Sequence, residues 1–202
     1  MAEAVAHIGR IGAGFPEPVV DSQRCFRALM NGLAFPGRVQ TVPASPETPR
    51  GWSPALAAAT LTLLDAETPV WLDEAAATPD ALSMIRFHAG APIVGQPEKA
   101  SFCVLLEPAT APYEAFPIGL DQYPDRSATV LIQTDALTAG PGHNLRGPGV
   151  DGVQSFGPKA DLSAFWTAWR RNHALFPLGF DAFFFAGDEV VGLPRSVAAE
   201  EA

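Results

Sequence analysis

The sequence predicts a single α/β domain in three layers (α/β/α), with helices on both sides of a mixed β-sheet. Two aliphatic runs, 101–107 and 128–134, have the near-continuous apolar character of strands that are covered on both faces. Segments with apolar residues at helical spacing are interleaved with these runs, which indicates alternating helices and strands. Two segments near the C-terminus, 180–186 and 189–193, predict a hairpin, so we expect a mixed rather than a purely parallel sheet.

The first part of the chain predicts an arm, a helix and a short strand. We expect residues 1–20 to form an extended arm and the domain to span 21–195. Asp21 is the expected N-cap of a helix over 22–35. The apolar stripe of this helix consists of Cys25, Phe26, Leu29, Met30 and Leu33. A short strand over 38–42 and a proline-containing loop over 43–52 complete this part.

The middle of the chain predicts a second helix, a strand and a third helix. Ser53 followed by Pro54 predicts the start of a helix that reaches about residue 66, with the serine as its N-cap. A buried strand over 69–72 and a helix over 80–87 follow.

The last part of the chain predicts loops, a helix and a loose end. Residues 139–158 are rich in glycine and proline, and we expect loops there around at most one short strand. Residues 196–202 are expected to form a frayed tail. A final helix is predicted from the stripe formed by Leu162, Phe165, Trp166, Trp169, His173 and Phe176.

The charge and the apolar pattern exclude several classes of protein. The formal net charge is −9, and no basic stripe is present that would neutralise phosphates, so nucleic-acid binding is not expected. The N-terminus has no basic segment followed by an apolar one, so no signal peptide is expected. No apolar run approaches the length of a membrane span, and we expect a cytoplasmic protein that does not bind membranes.

Local motifs predict no catalytic residue, no metal site and no cofactor. The glycine spacing of 142–147 is that of a phosphate-binding loop, but the lysine and hydroxyl residue that give the loop its chemistry are missing. Neither Lys99 nor Lys159 has the apolar surroundings of a lysine that forms a Schiff base with pyridoxal phosphate. No histidine pair has the spacing of metal ligands; the histidines are His7, His88, His143 and His173. Arg86 and His88 lie in the last turn of a predicted helix, where basic side chains interact favourably with the last carbonyl groups. The alternative interpretation is that they contact an anion.

Several short segments, taken together, resemble one family. They follow one another between about residues 15 and 196 and include Phe26-Arg27-Ala28-Leu29-Met30, Thr68-Pro69-Val70-Trp71-Leu72, Arg86-Phe87-His88-Ala89-Gly90-Ala91-Pro92, Ala100-Ser101-Phe102, Ser127-Ala128-Thr129-Val130-Leu131-Ile132, Gly147-Pro148-Gly149-Val150, Phe176-Pro177-Leu178-Gly179-Phe180-Asp181 and Leu193-Pro194-Arg195. Their order and spacing resemble the bacterial phosphonate-metabolism family PhnH, which contributes a subunit to the carbon–phosphorus lyase system.

The resemblance implies a fold similar to the large domain of pyridoxal-phosphate-dependent transferases, without the cofactor. It also implies a homodimer in isolation and a core complex with three other subunits in the cell. That complex, with an ATP-binding-cassette-type subunit, forms ribose 1-alkylphosphonate 5-triphosphate from ATP and an alkylphosphonate. The family assigns the transferase and lyase chemistry to the other subunits, so no catalytic residue is transferred to this chain.

An assembly subunit needs a surface that buries against its partners, and such surfaces favour tryptophan and arginine. The interface candidates are Trp52, Trp166, Trp169, Arg170 and Arg171. An alternative function is a stand-alone protein that binds a nucleotide or a phosphonate, with Arg86, His88 and Arg195 as anion contacts. A third hypothesis is that the chain is a free-standing enzyme that uses pyridoxal phosphate.

Overall fold

The centre of the fold is a mixed six-stranded sheet in the computed structural model, which describes residues 9–44 and 46–202. Its strands are β1 (Gln40–Thr41), β2 (Val70–Leu72), β3 (Phe102–Leu105), β6 (Thr129–Gln133), β9 (Asp181–Ala186) and β10 (Glu189–Leu193). They lie in the order β1-β10-β9-β6-β3-β2. Strands β2, β3, β6 and β9 are parallel to one another, whereas β10 pairs antiparallel with β9 and β1 pairs antiparallel with β10. The predicted mixed sheet and its C-terminal hairpin are confirmed.

Side chains of each central strand alternate between two apolar cores on opposite faces of the sheet. Phe183 and Phe185 of β9 lie in the first core, against helices α1 (Pro18–Ala34) and α2 (Pro54–Leu63). Phe184 lies in the second core, against helix α4 (Ser163–Ala174). The chain therefore has helices on both faces of the sheet.

Helix α2 begins as predicted, and α1 begins earlier than predicted. The Ser53 hydroxyl accepts the Leu56 backbone N–H, and Pro54 occupies the first helical turn. Helix α1 begins at Pro18, because a proline is tolerated where the backbone N–H has no helical partner. Asp21 is therefore not the N-cap; its carboxylate accepts the N–H of Glu17, the residue that precedes the helix. Helix α2 ends at Leu63, before the predicted residue 66.

The predicted helix over 80–87 is two structures in succession. Helix α3 (Pro79–Met84) is capped by the Thr78 hydroxyl, which accepts the Ala81 N–H. A π-helical turn, Ile85–Ala89, continues it and ends at Gly90, whose φ of +66° lies in the left-handed region that favours glycine. Such turns are rare and occur often at functional sites.

Two predictions about the C-terminal half are wrong. Residues 139–158 contain two strands, β7 (His143–Arg146) and β8 (Gln154–Phe156), rather than at most one. The predicted frayed tail contains strand β11 (Ala198–Glu201), which pairs antiparallel with β7. Buried Leu145 and Phe156 anchor this three-stranded sheet to the second core, so long-range pairing overrides the local abundance of glycine and proline. A separate hairpin, β4 (Ile118–Leu120) and β5 (Tyr123–Ser127), was also not predicted.

The Asp73 carboxylate ties the carboxyl ends of β2 and β3 together. Asp73 directly follows β2 and is buried. One of its oxygens accepts the Ala76 N–H at 2.7 Å, and the other accepts the N–H groups of Leu106 and Glu107 at 2.8 and 2.7 Å. Hydrogen bonds to an ionised carboxylate are stronger than those between neutral groups, so Asp73 stabilises this edge of the sheet.

We predict that Asp73→Asn lowers the free energy of unfolding by about 2–4 kcal/mol, because the amide NH₂ group faces backbone N–H donors that then lose their acceptor. Urea denaturation measures the change. The matched control is Glu74→Gln at the neighbouring exposed position, for which the change stays within about 0.5 kcal/mol. Equal stability of the Asp73→Asn variant and the wild type would contradict the assignment.

Candidate functional site

The three tryptophans predicted to form an interface are buried in the chain itself. Trp52, Trp166 and Trp169 have 6%, 8% and 0% of their surface exposed. The indole N–H of Trp52 donates to the Ala76 carbonyl, and that of Trp169 donates to the Val197 carbonyl. All three residues belong to the apolar cores, where the indole N–H groups of Trp52 and Trp169 have hydrogen-bond partners. The structure corrects their assignment to an exposed interface.

Two of the predicted interface residues are exposed. Arg170 and Arg171 follow each other on α4 and both lie at the surface. Arg171 forms an ion pair with exposed Glu114. Arg170 has no ion pair among the residues that the structure describes. These two arginines remain interface candidates.

Arg195, a predicted anion contact, is already paired inside the protein. Its guanidinium donates to both carboxylate oxygens of Asp181, at 3.1 Å to Oδ1 and 2.5 Å to Oδ2. It also donates to the Pro124 carbonyl at 2.8 Å and to the Ser127 hydroxyl at 2.6 Å. These bonds join the β4–β5 hairpin to the central sheet. The anion-binding prediction for Arg195 is wrong, because its donors are engaged by the fold.

Arg86 and His88 both lie exposed on the π-helical turn. The Nε2 atom of His88 lies 2.9 Å from the Gly12 carbonyl, so this ring holds the N-terminal arm against the domain. The arm is held further by Asp80, which accepts the Arg10 N–H at 2.7 Å. The structure does not combine Arg86, His88 and Arg195 into one site. Of the arm predicted over 1–20, residues 1–8 lie outside the described residues.

The described residues contain no obvious nucleophile or metal centre. Cys25 and Cys103 are buried, and burial raises the pKa of both thiols, that of Cys25 to about 11. Such thiols are poor nucleophiles at neutral pH. Within ranges 9–44 and 46–202, no three histidine, cysteine, aspartate or glutamate side chains are grouped as a metal site. No helix in the same ranges is long and apolar enough to cross a bilayer.

Two exposed apolar surfaces stand out in the described structure. The first, the hairpin patch, consists of Ile118, Leu120, Tyr123, Leu175 and Phe176. The Gly179 N–H donates to the Ile118 carbonyl, so the loop after α4 runs beside the hairpin. The second, the α1 face, consists of Val19, Phe26 and Met30, which are 83%, 47% and 54% exposed. Exposed apolar side chains grouped in this way are typical of interaction sites.

The exposed surfaces correct two sequence predictions. Of the apolar stripe predicted for the first helix, Cys25 and Leu29 are buried, whereas Phe26 and Met30 are exposed. Phe176 was assigned to the stripe of the last helix, but α4 ends at Ala174 and leaves Phe176 58% exposed.

A cavity of about 690 Å³ lies beside the start of α4. His143 of β7 forms part of its wall and stacks on Trp166, with ring centroids 3.9 Å apart. His143 was not predicted as a site residue, because the glycine and proline content of 139–158 predicts mainly loops. The alternation of His143 and Leu145 with Asn144 and Arg146 was the available signal for a strand with one buried side.

We predict different effects for two arginines that each pair with a carboxylate. Arg195→Met lowers the free energy of unfolding by about 2–4 kcal/mol, because Asp181, with 21% of its side chain exposed, is left without its partner. Arg171→Met, the matched control, changes it by no more than about 0.5 kcal/mol, because both partners are well exposed. Thermal and urea unfolding provide the comparison, and equal losses in the two variants would refute the distinction.

Comparison with known proteins identifies the family. The model of the family described as "Bacterial phosphonate metabolism protein (PhnH)" matches residues 13–200. The Rhizobium meliloti (strain 1021) protein named "Alpha-D-ribose 1-methylphosphonate 5-triphosphate synthase subunit PhnH" is 34% identical over 187 residues, which cover 92% of this chain and 94% of that protein. The Stutzerimonas stutzeri protein named "Putative C-P lyase subunit protein HtxG" is 30% identical over 175 residues, which cover 86% of this chain and 83% of that protein. The chain belongs to the PhnH family of bacterial phosphonate-metabolism proteins.

Proposed function

We propose that this chain is a non-catalytic subunit of a carbon–phosphorus lyase complex in phosphonate catabolism. The observation that carries the proposal is its near full-length match to a subunit of alpha-D-ribose 1-methylphosphonate 5-triphosphate synthase. In this role the chain supports the formation of ribose 1-alkylphosphonate 5-triphosphate from ATP and an alkylphosphonate, while other subunits carry out the chemistry. Its place of action is the cytoplasm.

The exposed apolar surfaces support an assembly role. An isolated chain leaves the side chains of Phe176 and Leu120 58% and 60% exposed, and burying them against a partner removes apolar surface from water. Phenylalanine is enriched at the centre of interfaces, and Arg171 close to the C-terminal end of α4 suits a polar rim. We assign the hairpin patch to contact with another core subunit.

The proposal also covers the oligomeric state of the isolated chain and the relation of its fold to another family. The α1 face offers a second apolar surface, through which the isolated chain forms a homodimer. The scaffold, a mixed sheet between helices, is related to the large domain of pyridoxal-phosphate-dependent transferases and works without the cofactor. The alternative, a stand-alone nucleotide- or phosphonate-binding protein, depends on Arg86 and His88 alone, since Arg195 is engaged by Asp181.

We expect the tagged chain, co-expressed with the remaining core subunits of the same genome, to recover them in stoichiometric amounts in one size-exclusion peak. A chain that elutes alone while its partners assemble without it would exclude the subunit role and favour the ligand-binding alternative.

The double variant Leu120→Ser/Phe176→Ser sharpens the experiment. Partner recovery at limiting concentration falls at least about tenfold, because both anchors of the hairpin patch are removed. The matched control is Val153→Ser, an apolar position that is 44% exposed in the loop between β7 and β8. Normal recovery with the double variant would place the interface elsewhere.

A further inference from the structure

Residues 9–15, which we call the strap, run before helix α1 and lie directly against two other segments of the chain. A Cβ atom at Gly9 would lie 2.2 Å from the carbonyl carbon of Pro79, so the strap backbone touches the first turn of α3. The Glu47 N–H donates to the Ala13 carbonyl at 2.9 Å, and the Glu47 carboxylate accepts the Ala13 N–H at 3.0 Å. The strap therefore has a defined seat on the domain.

Between these two contacts the strap meets the π-helical turn through His88. The Nε2 atom of His88 donates to the Gly12 carbonyl at 2.9 Å, because a carbonyl oxygen can only accept. A Cβ atom at Gly14 would lie 3.1 Å from the Cε1 atom of the same ring, so the imidazole also packs on the strap backbone. The ring of Phe87 lies edge-on to the imidazole, with centroids 4.9 Å apart. His88 thus contacts both the strap and Phe87.

The π-helical turn needs support from outside itself. Its hydrogen bond runs from the Gly90 N–H to the Ile85 carbonyl at 3.0 Å, one residue further along the chain than an α-helical bond. Turns of this kind are rare, which indicates that a helix normally prefers α-helical winding. A change to α-helical winding would alter the directions of His88 and Phe87, and His88 would lose its contact with the strap. The strap contact therefore favours the π-helical form.

The strap can also leave its seat at a modest cost. The hydrogen bonds to Asp80, Glu47 and His88 are exposed to solvent, so water can replace the protein partners when the strap is released. Elements held by exposed hydrogen bonds are those that open locally while the rest of a protein stays folded.

We propose that the strap and the π-helical turn form one two-state element, in which the turn keeps its π-helical form only while the strap is seated. Arg86 and Phe87 are exposed on this turn, Phe87 by 66%, so the strap sets the direction in which both side chains are presented at the surface. The inference is independent of the proposed function, because all of these contacts lie within one chain and none involves the hairpin patch.

Amide hydrogen exchange of the full chain, followed by NMR, tests the coupling. The Glu47 N–H reports on the strap, and the Gly90 N–H reports on the turn. Gly9→Ala places a methyl group where the Pro79 backbone lies, so we expect both amides to exchange at least about tenfold faster. Faster exchange at Glu47 with unchanged exchange at Gly90 would show that the strap opens without the turn, which overturns the proposal. Unchanged exchange at both amides overturns it as well.

A variant of the turn tests the same coupling in the reverse direction. Gly90→Ala strains the end of the turn, since the φ of this residue is +66° and a Cβ atom there meets nothing within 4 Å. Because coupling between two sites is reciprocal, we expect the Glu47 N–H to exchange at least about fivefold faster in this variant. The matched control is Gly152→Ala, which has a φ of +67° and the same open surroundings, and which leaves exchange at Glu47 and Gly90 unchanged. Unchanged exchange at Glu47 in the Gly90→Ala variant refutes the proposal even if the Gly9→Ala variant fails to fold.

The contact between the rings of Phe87 and His88 tests whether the strap sets the direction of Phe87. These rings are close enough for a nuclear Overhauser effect in the wild type. We expect this effect to weaken in the Gly9→Ala variant, because both side chains change direction when the turn changes its winding. Full intensity together with a released strap would contradict this part of the proposal.

Discussion

The burial of both faces of the parallel strands is the constraint on which the structure depends. In β9, Phe184 points to one core while Phe183 and Phe185 point to the other, so neither helical layer can be removed without exposing large apolar surface. Helix α1 and strand β10 are also in close contact. A side chain at Gly192 would meet the carbonyl carbon of Gly32 at 2.5 Å, so glycine at these positions lets α1 lie directly on β10. Because this side of α1 packs on β10, Phe26 and Met30 face outward and are available to a partner.

The elements that could be predicted from the sequence are those whose local apolar pattern matches their burial in the fold. Strands β3, β6 and β9 are near-continuous apolar runs, and a glycine turn at Gly187 separates β9 from β10, so these strands and their hairpin could be predicted. Strands β7, β8 and β11 were not predicted. Strand β11 pairs with β7, which lies more than forty residues earlier in the chain, and β7 and β8 lie in a segment that is rich in glycine and proline. Periodicity also does not say which side of a stripe faces the core, so Phe26 and Met30 were placed inside.

The candidate site was harder to predict than the fold. Residue type alone suggested that tryptophans form an interface and that Arg195 binds an anion, but burial and the Asp181 ion pair decide otherwise. His143 was passed over because a single histidine in a glycine-rich segment has no distinctive spacing. The structure adds the burial of each side chain and shows which apolar side chains lie outside the cores. Exposed apolar side chains suit a subunit that contributes surface rather than reactive groups.

We propose that the chain is needed for the reaction of its complex and carries none of the chemistry itself. The most direct test is to reconstitute the purified core subunits with ATP and methylphosphonate, with and without this chain, and to follow ribose 1-methylphosphonate 5-triphosphate by phosphorus NMR. We expect product only when the chain is present with its partners, and none from the chain alone. Equal product formation in its absence, or turnover by the isolated chain, would contradict it.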